Sequence, residues 1–425
     1  MKTIFFHQQG YRDLPEDFHK KYESVWVTLP SDELCDPQMV RKYLRWNVEE
    51  LELADDLGFD AIGVNEHHQN AYGFPVAPNI IAGIMARRNS DAGIVVLGNT
   101  IPLYNPPLRV AEEYALLDCL SGGRLVAGLP VGSPPDTVGN YGLPPTQVRE
   151  RYYEAHKLIT EAWTRKGPFP FNGRFTKLGN VNPWPKPIQK PHPPIWLAGG
   201  GSVETWKFAT DNNYTYSYLS FSGLKQAKSM MQGYWNQVEA AGLDDNPYRA
   251  GFAQAVGGGA TDAEAEKLYL EHIRNFYSKS LHIPPYMQAP PGFLSKKSVE
   301  FGMNQGLQRG QGKKLLGDVT KASWKDFTET YGMVVGGSPE TVAQKLEEGI
   351  RDLRIGHLMV IMQLQSMDRE LTEYNTRLFA EKVLPRLRNI WLKEGYQDHW
   401  WPQGATRFST PESRALPVSL EAAAK

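Results

Sequence analysis

The chain has 425 residues, beyond the ~250–300 at which a single core usually stops growing; barrels of alternating strands and helices are the exception, reaching over ~400 residues with insertions. Its 46 Lys+Arg against 47 Asp+Glu leave a net charge of −1, which argues against the clustered basic excess of a nucleic-acid footprint. Cys35 and Cys119 offer neither a disulfide framework nor a metal-binding spacing, and no run approaches the ~18 apolar residues of a membrane span or fits a signal peptide. A cytoplasmic protein with no nucleic-acid or membrane partner and no metal is expected.

Along the chain, residues 2–6 predict a strand and 24–29 a short extended piece. Residues 38–58 carry apolar positions at helical spacing and stop at Gly58, a natural C-terminal residue for a helix. The beat then repeats: strand 60–64, helix 78–88, strand 93–97, helix 107–120, strand 124–128, helix 147–165. The stretch 168–194, rich in Pro and aromatic residues, reads as an ordered excursion. Strand 195–197 and a helix from Ser202 resume the pattern, followed by strands 214–219 and 249–256 and helices 223–241 and 262–279. Residues 281–327 break the rhythm as an insertion over one end, a candidate lid; helix 338–352, strand 357–362 and helix 368–388 complete eight units. Strands alternating with helices predict an α/β protein, a (β/α)8 TIM barrel over 1–390 with insertions at the C-terminal mouth and a wrapping tail over 391–425. In such barrels the active site lies at the C-terminal ends of the strands.

The second strand ends in Asn65-Glu66-His67-His68. A carboxylate and two imidazoles leaving one strand need partners when buried, and imidazole suits proton transfer near neutral pH; Glu66, His67 and His68 are therefore the candidate catalytic group. An isolated histidine would more often cap a helix or bond a core carbonyl. The fifth strand ends in Ala198-Gly199-Gly200-Gly201-Ser202 just before a helix. Glycines let a ligand approach the backbone, and a helix N-terminus suits a phosphate, so Gly200, Gly201 and Ser202 are candidate cofactor contacts. The third strand ends in Gly98-Asn99-Thr100-Ile101, and the fourth runs into Gly132, Ser133 and Asp136 at the mouth; for both stretches ordinary turn chemistry is the competing explanation. Tyr72, Phe74, Tyr104 and Tyr141 fit either an apolar pocket or packing between loops.

Several motifs in fixed order resemble the bacterial luciferase-like superfamily: Ala54–Phe59, Glu66-His67-His68, Asn105–Glu113, Leu117–Arg124, Glu150-Arg151-Tyr152 and Pro185–Trp196 leading into the glycine run. The resemblance is close over about 45–210 and carried by rhythm elsewhere. It implies a flavoprotein that binds FMN, or in one branch a deazaflavin, at the barrel mouth. It further implies a two-component monooxygenase in which reduced FMN from a separate flavin reductase meets O2, forms a flavin hydroperoxide and oxygenates a small organic substrate. By the same resemblance His67 is the acid/base, with Glu66 and His68 orienting it. Gly200, Gly201 and Ser202 form the phosphate turn with Tyr152 nearby, and Asn99-Thr100-Ile101 match a stretch where relatives carry a non-prolyl cis peptide beneath the flavin. A homodimer is implied as well. One departure stands out: where luciferase-type members often carry Arg-Gly after the fourth strand, this chain has Pro130-Val131-Gly132. A deazaflavin-dependent oxidoreductase, a non-catalytic flavin-binding barrel and a metal-dependent barrel hydrolase are the alternatives.

Overall fold

The computed structural model describes residues 1–88, 91–219, 221–304 and 318–403. Eight parallel strands close into a barrel: β1 (Lys2–Phe6), β2 (Ala61–Val64), β3 (Gly93–Val96), β4 (Leu125–Gly128), β7 (Ile195–Gly199), β8 (Thr215–Tyr218), β9 (Ala250–Gly258) and β11 (His357–Ile361). The pairings β9 to β8 and β9 to β11 complete the circle. These strands are short runs buried on both faces, as expected where side chains fill the lumen and helices cover the outside. The rhythm read from the sequence is thus realised as a (β/α)8 barrel, with β5 (Phe169–Asn172) and β6 (Lys177–Val181) forming a small antiparallel hairpin inside the 168–194 excursion. The Glu154 carboxylate accepts the backbone N–H groups of Arg174, Phe175 and Thr176 at that hairpin's turn.

Three local expectations change. A ninth sheet strand, β10 (Val334–Gly337), pairs with Ala255–Gly258, the far half of β9; β9 is long enough to hold β8 and β11 low and β10 high. Residues 24–29 form no strand, because their backbone is committed to loops: Val25 N–H donates to His282 O, and Ala71 N–H to Val25 O. The last helical stretch breaks into Arg369–Lys382 and Leu384–Arg388 around Pro385, which has no N–H to continue the ladder.

The tail closes the barrel's N-terminal end. Trp196 Nε1 donates to Trp400 O at 3.1 Å, and fully buried His357 lies 3.0 Å from Asp398 Oδ2 and stacks on Trp401. The end of the expected tail, 404–425, and part of the insertion, 305–317, lie outside the described residues. No helix among the described residues is long and apolar enough to cross a membrane.

Candidate active site

A cavity of about 820 Å³ opens where β2, β3, β4, β7 and β8 end, near the upper end of the ~300–1,000 Å³ usual for ligand sites. The described parts of the insertion, including Ile283, Phe293 and Phe301, line one side.

At one end stands His67. Its Nδ1 lies 2.8 Å from Asp136 Oδ2, which leaves Nε2 for the cavity. Asp136 is itself held: Ser133 Oγ donates to Oδ2 at 2.7 Å and His68 N–H to Oδ1 at 3.0 Å. Burial pushes the Asp136 carboxyl up, but the His67 ring and these donors outweigh it and hold its pKa below the ordinary value. Asp136 reaches this position on a tight turn, Pro135–Asn140, entered through Gly132. At φ 93° Gly132 is in the left-handed region, and a Cβ there would sit 2.3 Å from Thr100 Cγ2.

Glu66 and His68 form a second pair below the first. His68 Nε2 is 2.6 Å from Glu66 Oε1, and Tyr141 OH lies 3.2 Å from His68 Nδ1. Glu66 Oε2 accepts from Thr100 N–H and from Tyr104 OH, each at 3.0 Å. Glu66 lines the cavity, whereas His68 does not. His68 thus stands behind the cavity wall as the partner of Glu66, and His67 is the imidazole that lines it, paired with Asp136. Asn99 is fully buried, ties Tyr104 and Asn79 together and stands outside the cavity lining, while Thr100 is in it. The expected non-prolyl cis peptide at 99–101 is absent: the cis bonds among the described residues precede Pro106, Pro185 and Pro191, and the Thr100 N–H reaches Glu66 without one.

At the opposite end Gly199–Ser202 turns into the helix Val203–Asn212. Gly201 has φ 96°, and a Cβ would lie 1.7 Å from Met230 Cε. Ser202 caps the helix by accepting from Thr205 N–H. The helix N-terminus is less open than the sequence suggested, because Val203 N–H already donates to Ser298 Oγ at 3.1 Å. Instead a cation arrives: Arg149 Nη2 donates to Ser202 Oγ at 3.0 Å, and its Nη1 is 3.5 Å from Thr205 Oγ1. Arg149, on the Pro145–Thr164 helix, lines the cavity and brings a positive charge to this turn. Nothing in its local sequence marks it. Glu204 faces the same turn but is engaged by Ser295 and Ser298 of the insertion. Tyr152, expected beside a phosphate, is buried and donates its hydroxyl to Leu129 O at 3.0 Å; it is a core residue outside the cavity lining.

A phosphorylated, flat cofactor fits these residues: an Arg and two hydroxyls surround a close-approach glycine turn at one end of the cavity. Metal ligation does not fit as well. The two imidazoles pair with separate carboxylates, and no group of three or more His, Cys, Asp or Glu among the described residues could hold an ion.

The family model described as luciferase-like monooxygenase matches residues 25–357. The chain belongs to that family. Its relatives include the y4wF protein of Sinorhizobium fredii, 38% identical over 35% of this chain and 42% of that one. They also include the oxygenase component of a flavin-dependent trigonelline monooxygenase of Acinetobacter baylyi, 29% identical over 43% of this chain and 50% of that one. The beta chain of alkanal monooxygenase of Vibrio harveyi is 27% identical over 53% of this chain and 70% of that one. The match thus spans half or less of the length of the first two relatives. Among solved structures, monooxygenase RslO1 of Streptomyces bottropensis superposes with a TM-score of 0.64 at 18% identity, covering 91% of this chain and 99% of that one. The oxygenating constituent of 3,6-diketocamphane monooxygenase of Pseudomonas putida, in complex with FMN, gives 0.62 at 18%, covering 91% and 98%. At that identity the likeness shows the barrel fold alone.

Proposed function

We propose that this chain is the oxygenase component of a two-component monooxygenase that takes reduced FMN from a separate flavin reductase and uses O2 to oxygenate a small organic substrate. The observation that carries the reading is the cavity's polarity: an arginine-lined phosphate turn at one end and the His67–Asp136 pair at the other. Arg149, Ser202 and Thr205 hold the phosphate, with Gly200 and Gly201 allowing its approach. Asn65, Thr100, Gly132 and Ser133 border the space for the ring system. Reduced FMN, when bound, supplies the electrons that activate dioxygen. Asp136 fixes the His67 ring through Nδ1, so that Nε2 takes or returns the proton during turnover. The apolar residues of the insertion exclude water from the reacting end.

A homodimer belongs to the same proposal. The helices Pro78–Arg88 and Leu108–Ser121 pack side by side and expose Ile80 and Ile84, Leu116 and Leu120, two i,i+4 pairs that are 39–66% accessible. Contiguous apolar surface of this kind marks an interaction face.

The test is anaerobic titration of the purified protein with reduced FMN and, separately, with a reduced deazaflavin, followed by O2 uptake on admitting air. Saturable binding of reduced FMN with rapid O2 uptake supports the proposal. Binding of the deazaflavin alone transfers the site to hydride chemistry without oxygen.

A further inference from the structure

The glycine turn before the Val203–Asn212 helix carries a carboxylate that a phosphate site does not need. Ser202 Oγ lies between two opposite charges: Arg149 Nη2 donates to it at 3.0 Å, and Glu204 Oε2 stands 3.2 Å away on its other side. The Ser202 oxygen also accepts the Thr205 N–H. A hydroxyl has a single hydrogen, and with two donors already on the oxygen that hydrogen is left for Glu204 Oε2 or for Thr205 Oγ1 at 3.1 Å.

Glu204 is fixed where it stands. Ser298 Oγ donates to its Oε2 at 2.7 Å, and Ser295 Oγ donates to its Oε1. Burial pushes the Glu204 carboxyl up, but these two hydroxyls and, after them, Arg149 outweigh it and hold its pKa below the ordinary value. Glu204 is therefore an anion at neutral pH. Lys296 and Lys297 beside it are exposed, and Lys296 pairs with Glu300. Among the described lining residues Arg149 is the one permanent cation.

The distances bound what a phosphate would meet. An oxygen within hydrogen-bonding reach of Ser202 Oγ, ~2.8 Å, lies no more than about 6 Å from Glu204 Oε2. A phosphate monoester carries close to two negative charges near neutral pH. Like charges at that separation repel appreciably where protein replaces part of the water between them. The phosphate also competes with Glu204 for the Ser202 hydrogen.

We propose that Glu204 is a negative determinant of flavin affinity: its charge and its hold on the Ser202 hydroxyl offset Arg149, so that reduced flavin enters from the reductase and the spent flavin leaves after each turnover. Glu204 acts through the turn and touches no reacting atom; it is a positioning residue that sets the exchange of the cofactor. The inference rests on reading this turn as the flavin phosphate site.

The experiment is anaerobic calorimetric and stopped-flow titration with reduced FMN and with reduced riboflavin, which lacks the phosphate. Glu204→Gln removes the charge and keeps the side chain's shape. It should tighten reduced FMN by about three- to tenfold, largely through slower dissociation, and leave reduced riboflavin unchanged. A gain confined to the phosphorylated flavin is not a result that misfolding produces. Glu204→Asp retains the charge and should tighten FMN by less than about twofold. In the unaltered protein the paired charges should also keep the Kd for reduced FMN within about twofold between ~0.05 and ~0.5 M salt. Unchanged or weaker FMN binding in Glu204→Gln, equal tightening of both flavins, or equal tightening in the Asp and Gln variants overturns the inference, as does marked weakening by salt in the unaltered protein. Each of these leaves the flavin reading standing, because FMN still binds. Binding of neither flavin to the unaltered protein overturns both.

Discussion

Asp136 Oδ2 lies 2.8 Å from His67 Nδ1, although the two residues are 69 positions apart. The contact sets which nitrogen of His67 faces the cavity, because Asp136 is kept ionised by that ring and by the Ser133 hydroxyl despite its burial.

Asp136→Asn removes the charge while keeping an oxygen for the His68 N–H. Turnover should fall by about 10²-fold or more, in the range for loss of a positioned acid/base, while the Kd for reduced FMN stays within a few fold. His67→Ala should give a similar loss, and the double variant should be little worse than either, since the pair acts as a unit. Additive losses in steady-state kinetics would mean that the two residues act separately.

Arg149→Met should weaken reduced FMN by about 10- to 100-fold, as expected for loss of a hydrogen-bonded charge, and leave reduced riboflavin, which has no phosphate, unaffected. The comparison of the two flavins by fluorescence or calorimetry checks this. Equal losses for both would place Arg149 in the architecture of the turn rather than at the phosphate.

His156 provides a pH dependence of stability separate from the site. Burial first, and then neighbouring His192, lower its pKa from 6.5 to about 4, and its Nε2 lies 3.0 Å from Tyr214 OH. Between those values the unfolded chain binds a proton that the native protein does not. Stability from this group is complete above about pH 6.5 and is lost as pH falls toward 4, by about 3 kcal/mol in all. Denaturant melts from pH 7 to 4.5 should show that slope, and His156→Gln should flatten it by one proton. An unchanged slope would assign the acid sensitivity elsewhere.

Ile80→Glu combined with Leu120→Glu places two charges on the exposed apolar face of the paired helices. Light scattering after gel filtration should give a dimer mass for the unaltered chain and a monomer mass for the variant. A variant that remains dimeric moves the interface to another face.

Much of this protein was legible from sequence alone because the relevant signals are local. Short, largely apolar runs alternating with amphipathic helices specify buried parallel strands and their crossovers, and two motifs at strand ends, Glu66-His67-His68 and the glycines before Ser202, come to the mouth cavity because strand ends face it. What the sequence left undetermined depends on partners brought together by barrel closure. It did not show that His67 would find Asp136, that Arg149, 53 residues from Ser202, would meet that serine at the cavity, or that Trp26 would wall the cavity. The place of Tyr152 was undetermined for the same reason: helix periodicity fixes a residue's face, but only packing decided that its hydroxyl would meet Leu129 O in the core. Strand β10 escaped notice because its pairing exists only where β9 outruns its neighbours. Periodicity and turn chemistry act over a few residues and determined the barrel; the register and tilt of strands far apart in the chain decided which side chains meet at its mouth.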